Sequence, residues 1–191
     1  MIVVECGMKL LSIALLVLLS SVSLLGQTPA ASPGPTAAVK EANPADVAST
    51  ESIMKAVYDV ISADAGQKRD WDRFRTLFHK DAKLIPSGKN PQTGVTAARF
   101  WTPEEYITRA GPGLERDGFH DRELARKVEQ YGNIAHVFST YVTFRKKDDK
   151  DPFMRGINSF QLMNDGKRWW VVSIFWLAET PDNPIPAKYL N

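Results

Sequence analysis

Between Phe119 and Glu179 the chain repeats long β-type segments separated by turn signals, and this run restricts the possible folds most. Four extended segments are expected: Phe119–Tyr131, Asn133–Lys147, Phe153–Met163 and Trp169–Glu179. All carry β-branched or aromatic residues at short intervals. The joints are Gly132-Asn133, the charged stretch Lys146–Asp151 and Asn164-Asp165-Gly166, and each reads as a hairpin turn. Consecutive hairpins make an antiparallel meander, which must lay an apolar face against another layer.

That layer is supplied upstream. Ser49 or Thr50 can cap a helix reaching about Ala65, on which Ile53, Met54, Val57, Tyr58, Val60 and Ile61 recur at helical spacing. Gly66 is expected to end it. Asp70 opens a second helix with Trp71, Phe74, Leu77 and Phe78 on one face. Ala82–Pro86 is a short strand candidate, followed by a loop over Ser87–Gly94. Thr102-Pro103-Glu104-Glu105 combines a capping hydroxyl, a proline at the first helical position and first-turn acids, so a third helix starts there. Gly111-Pro112-Gly113 is expected to break it. Helices followed by a meander give an α+β domain, with helices on one face of an antiparallel sheet.

Before this domain, Met8-Lys9 precedes an apolar run from Leu10 to Leu25, the pattern of a secretory signal peptide. The run is shorter than the ~20 residues that span a bilayer as a helix. Three parts are therefore expected: a signal peptide over 1–26, a Pro/Ala-rich linker over 27–48 and a domain over 49–191. The expected location is periplasmic or secreted, with an uncleaved membrane anchor as the alternative. The one cysteine, Cys6, lies before the apolar run, so the exported chain would hold no disulfide, thiol nucleophile or cysteine metal site. A net charge of +2, from 24 basic and 22 acidic residues, argues against a nucleic-acid partner. No motif calls for a metal or another cofactor.

The second helix, with Trp71-Asp72-Arg73-Phe74, Leu77-Phe78 and Asp81-Ala82, resembles a known family when joined to two later features. These are Tyr131-Gly132-Asn133-Ile134-Ala135-His136-Val137 and the hairpin Asn164-Asp165-Gly166-Lys167-Arg168-Trp169-Trp170-Val171-Val172. In this order they resemble the nuclear-transport-factor-2-like (NTF2-like) superfamily, and within it the SnoaL-like domains related to ketosteroid isomerase. The likeness covers nearly all of residues 49–191. It implies a cystatin-like cone, in which a curved antiparallel sheet wraps around N-terminal helices and leaves a pocket at the wide end. It also implies homodimers through the outer sheet face. The superfamily holds isomerases, cyclases, dehydratases and non-catalytic binding domains, so fold alone does not give the activity.

On the last strand, strict alternation puts Trp169, Val171, Ser173, Phe175 and Leu177 on one face and Trp170, Val172, Ile174 and Trp176 on the other. Both faces are apolar, which also suggests cover by a second copy of the chain. Where relatives carry polar groups on this strand, Ser173 and Phe175 stand here, which weighs against acid–base chemistry. His79 is expected at the end of the second helix and His136 on the outer face. His120, beside Asp121, is the best histidine for proton transfer. Asp72 and Asp121 are the carboxylates of interest, and Asp72 is taken with His120 as a catalytic candidate. The expected pocket lining is Tyr58, Trp71, Tyr141, Asn158, Trp169 and Ser173, suited to an apolar small molecule. Two functions follow: a non-catalytic domain binding such a molecule or a partner, or a SnoaL-like isomerase, cyclase or dehydratase. A carboxyl group with raised pKa in an apolar pocket would favour the second.

Overall fold

The computed structural model describes residues 40–191. The expected signal segment, and the expected linker as far as residue 39, lie outside the described residues. Four helices and six strands follow in the order α1 (Pro44–Val47), α2 (Thr50–Ile61), α3 (Trp71–Leu77), β1 (Phe78–Lys89), β2 (Thr96–Ala98), α4 (Pro103–Asp117), β3 (His120–Tyr131), β4 (Ile134–Phe144), β5 (Met154–Asn164) and β6 (Trp169–Ala178). A short 3₁₀ turn at Ala187–Tyr189 closes the chain. Among the described residues, no helix is long and apolar enough to cross a membrane.

The meander is present. Strands β3, β4, β5 and β6 pair antiparallel in sequence order, and their ends fall within a few residues of the expected segments. Gly132 adopts φ +56° and Gly166 φ +90°, which the two tight turns require of their glycines. The sheet is mixed rather than wholly antiparallel. Its order is β2-β1-β6-β5-β4-β3, and β1 runs parallel to β6. Chain direction explains this: α3 delivers β1 onto the free edge of β6 without a hairpin, so no reversal is imposed. Strand β1 is also longer than the Ala82–Pro86 expectation, because its pairing with β6 already begins at Phe78↔Val171. His79 therefore lies in β1 instead of at a helix end.

Helix α2 lies against the concave face and buries Ile53, Met54, Ala56, Val57, Tyr58, Val60 and Ile61. Its start has a reciprocal cap: Ser49 Oγ accepts from the Ser52 N–H, and Ser52 Oγ accepts from the Ser49 N–H. It ends at Ile61, before the expected Ala65. The buried Arg69 guanidinium donates to the Ile61, Ala63 and Leu114 carbonyls at 2.9 Å, satisfying polar groups at the end of α2 and tying it to α4.

Helix α4 does not break at Gly111-Pro112-Gly113 but continues to Asp117. A Cβ at Gly111 would meet the Trp71 ring at 3.1 Å, so this glycine serves the packing of α4 on α3. The ordered fold also begins before residue 49. Asn43 caps α1, Val47 is buried, and Asp46 receives two hydrogen bonds of 2.8 Å from Arg73. This Arg73 pairing holds the Asp46 carboxyl below its ordinary pKa.

The outer face of the sheet is partly covered by the chain's own C-terminal segment. Thr140 Oγ1 donates to the Tyr189 carbonyl at 2.5 Å, and Phe138 meets the Tyr189 ring edge-on at 4.9 Å.

Candidate functional site

Inside the curve, between α2, α3, α4 and the sheet, lies a cavity of about 80 Å³. Its lining is mostly apolar and includes Val57, Ile61, Phe74, Leu84, Phe160, Ile174 and Trp176. Five polar side chains also reach it: Tyr58, Tyr106, Asp121, Tyr141 and Asn158.

Asp121 is the chemical centre. It stands opposite Thr143 in the β3–β4 register, and the Thr143 hydroxyl donates to Oδ1. Burial pushes its carboxyl up to about 7, and the Thr143 hydrogen bond offsets only part of that rise. Asp121 also lines an open bowl of about 780 Å³ on the outside, with Ser62, His120 and the Lys147–Lys150 turn. It is the one residue common to the bowl and the cavity, so it stands where the two approach each other.

Three phenols surround this acid. Burial raises the pKa of Tyr58, Tyr106 and Tyr141, and the Asp121 charge adds to the rise in each. All three are neutral O–H groups at physiological pH. Tyr58 is held by Ser139 at 2.7 Å and by Asn158 Nδ2 at 3.1 Å. Ser139 and Asn158 are register partners on β4 and β5, which is why one α2 tyrosine reaches both. Ser139 in turn donates to Glu123 at 2.6 Å, and Glu123 is ion-paired with Arg126.

The sequence-expected residues divide into two groups. Tyr58, Tyr141 and Asn158 line the cavity, whereas Trp71, Trp169 and Ser173 do not. Trp71 packs edge-on against Phe74 and donates from Nε1 to Glu115 at 3.2 Å. Trp169 is buried in the core beside the β5–β6 turn. Ser173 is displaced by a β-bulge. Val171 pairs with Leu162 but Ser173 pairs with Gln161, so Val172 is an extra residue and the alternation inverts after it. Ile174 and Trp176 take the inward places, and Phe175 and Leu177 face outward with 47% and 42% exposure.

Of the two catalytic candidates, neither reaches the cavity. The Asp72 side chain is 69% exposed on the outside of α3, where it pairs with Arg75 at 2.8 Å. His120 lines the bowl, and its Nε2 lies 2.8 Å from Asp64 Oδ1. It forms no pair with Asp121, because its ring nitrogen is taken by Asp64. Tyr106 is a cavity residue that the sequence reading did not select. Its place three residues after Pro103 on an amphipathic helix was the available signal. Arg155, on the face opposite Asn158, pairs with Glu179 outside the cavity.

Gly156 makes room for one of these phenols. A Cβ there would lie 2.5 Å from the Tyr141 hydroxyl and would also strike the Leu177 carbonyl. Gly156→Ala is expected to cost about 1–3 kcal/mol in urea denaturation through overpacking, because the β6 backbone cannot withdraw. An unchanged midpoint would contradict this close approach.

No protein-family model and no curated protein matches the chain significantly. Solved structures do. A Nostoc punctiforme protein described as having a cystatin-like fold superposes with a TM-score of 0.53 at 12% identity, covering 74% of this chain and 97% of its own. An NTF2-like protein from Silicibacter pomeroyi gives 0.50 at 13% identity, covering 69% and 94%. LinA gives 0.51 at 9% identity, covering 75% and 92%. With its curved, open sheet wrapped around α2 and α4, the chain has the NTF2-like, cystatin-like α+β fold.

Proposed function

We propose that the cavity takes a compact, largely apolar small molecule and that Asp121 exchanges a proton with it. The observation that carries this reading is a carboxyl group set in an apolar lining, with the neutral Thr143 hydroxyl and no cation among its hydrogen-bond partners, where burial pushes its pKa up to about 7. A base of that pKa is half ionised at neutral pH and returns the proton as readily as it takes it. In the reaction class that fits, the Asp121 carboxylate removes a proton from the carbon next to a carbonyl, leaving the C–H electron pair behind. The electron pair moves onto the carbonyl oxygen, where Tyr106 or Tyr141 can donate a hydrogen bond. The protonated Asp121 then returns the proton to carbon. Enzymes of the isomerase and lyase type work this way, and binding without chemistry is the competing reading.

The test uses acetophenone in D₂O, with loss of its methyl proton signal followed by NMR. The wild-type protein is expected to accelerate exchange, with a rate that rises and levels off above about pH 7. Asp121→Asn is expected to abolish the acceleration. Equal rates for the two proteins would remove the catalytic role and leave a binding domain.

A further inference from the structure

We infer that the cavity is polarised at Tyr58: this phenol accepts a hydrogen bond from the bound molecule and cannot donate one. Its ligands are therefore apolar molecules bearing a hydroxyl or N–H group on the Tyr58 side. The inference rests on the cavity being the ligand site.

Glu123 is ion-paired with Arg126, and a carboxylate only accepts. The Ser139 hydroxyl has one hydrogen, and it goes to Glu123 Oε1 at 2.6 Å. Ser139 must therefore accept at its 2.7 Å contact with Tyr58, and Tyr58 must donate there. That uses the only hydrogen on the phenol. The contact of 3.1 Å with Asn158 must then be donated by the amide nitrogen, which also fixes which way the Asn158 amide points. After these two bonds Tyr58, which lines the cavity, keeps one lone pair and no hydrogen to give.

The opposite holds for Tyr106 and Tyr141. Neither phenol has a hydrogen-bond partner among the described residues, although both line the cavity and no fully buried side-chain polar atom is unsatisfied. Their O–H groups are free to donate. A molecule that fits this pattern carries a donor at one end and an acceptor at the other. Ser139 and Glu123 never touch it. They are positioning residues that set the sense of the Tyr58 hydrogen bond from outside the cavity.

Two probes of equal skeleton separate the cases: 1-phenylethanol, which carries a donor, and acetophenone, which does not. Affinities are measured by titration calorimetry on the wild type, Tyr58→Phe and Ser139→Ala. Removing the Tyr58 hydroxyl is expected to weaken the alcohol about five- to tenfold and to change the ketone less than about twofold. Removing the Ser139 hydroxyl frees the Tyr58 hydrogen to turn inward, so the ketone is expected to bind several-fold more tightly. A structural defect would weaken both probes together and would not strengthen either.

If Tyr58→Phe weakens the ketone as much as the alcohol, or leaves both unchanged, the polarity assignment is wrong although the cavity remains a binding site. Should that variant fail to fold, Ser139→Ala decides alone: a ketone affinity that stays level or falls overturns the assignment. If the wild type binds neither probe, the cavity reading falls and this inference falls with it.

Discussion

Asp121→Asn is expected to make the protein more stable at pH 8 while removing its capacity for proton exchange. The sign follows from linkage. The Asp121 carboxyl is raised from 3.8 to about 7 by burial, so between those values the folded state holds a proton that the unfolded chain has released. Stability contributed by this group is greatest at low pH. It declines as pH rises through that window and is level above about 7. An asparagine pays none of this penalty, and its Oδ1 can still accept from Thr143. A shift of this size corresponds to roughly 2–4 kcal/mol at pH 8, or a melting temperature higher by roughly 5–10 °C.

The useful quantity is the difference between the two proteins across pH 4–8. Other carboxylates in the fold pull the opposite way. Asp46 and Glu104 are held low by hydrogen bonds from Arg73 and Arg75, and they destabilise as pH falls. Subtracting the variant's profile from the wild type's removes those common contributions. Parallel melting curves at all pH values would mean that Asp121 is solvated and no better a proton carrier than a surface acid.

The second large effect is expected at Phe74. This ring is 1% exposed, stacks on Tyr106 at 5.5 Å and 12°, and lies 4.5 Å from Phe78. It also forms part of the cavity wall. Phe74→Ala is expected to cost about 3–5 kcal/mol, from lost transfer energy and from the void left behind. Because that void joins the existing cavity, the variant's melting temperature should respond more strongly to added benzene than the wild type's does. A loss below about 1 kcal/mol in chemical denaturation would contradict the placement of Phe74 at the junction of α3 and α4.

Much of this arrangement was legible before any coordinates. The meander was readable because its turns carry their own chemistry: Gly132 and Gly166 sit where positive φ is needed. Helix α2 was readable because its capping serine and its apolar stripe are local features. Tyr58, Tyr141 and Asn158 line the cavity, and no irregularity separates them from the pattern of their elements. The mixed sheet was not readable, since nothing local to Phe78–Lys89 states which strand it will meet.

The site's acid shows where sequence reasoning stops. With unbroken alternation, Asp121 and Glu123 share a face with Lys127, Glu129 and Tyr131 and look solvated. The structure inserts Leu124 as an extra residue, since Glu123 pairs with Tyr141 but Ala125 with Thr140. The parity changes there, so Asp121 and Glu123 turn inward while Lys127 and Glu129 stay outside. The same event at Val172 turns Ser173 away and brings Ile174 and Trp176 in.

Residue order alone thus determined helix α2, the starts of α3 and α4, the four meander strands with their tight turns and the class of fold, because helical periodicity, capping and turn preference act over a few neighbouring positions. Only the tertiary structure decided which side of each strand faces the cavity. A bulge exists only relative to the partner strand, and one extra residue moves every later side chain to the opposite face.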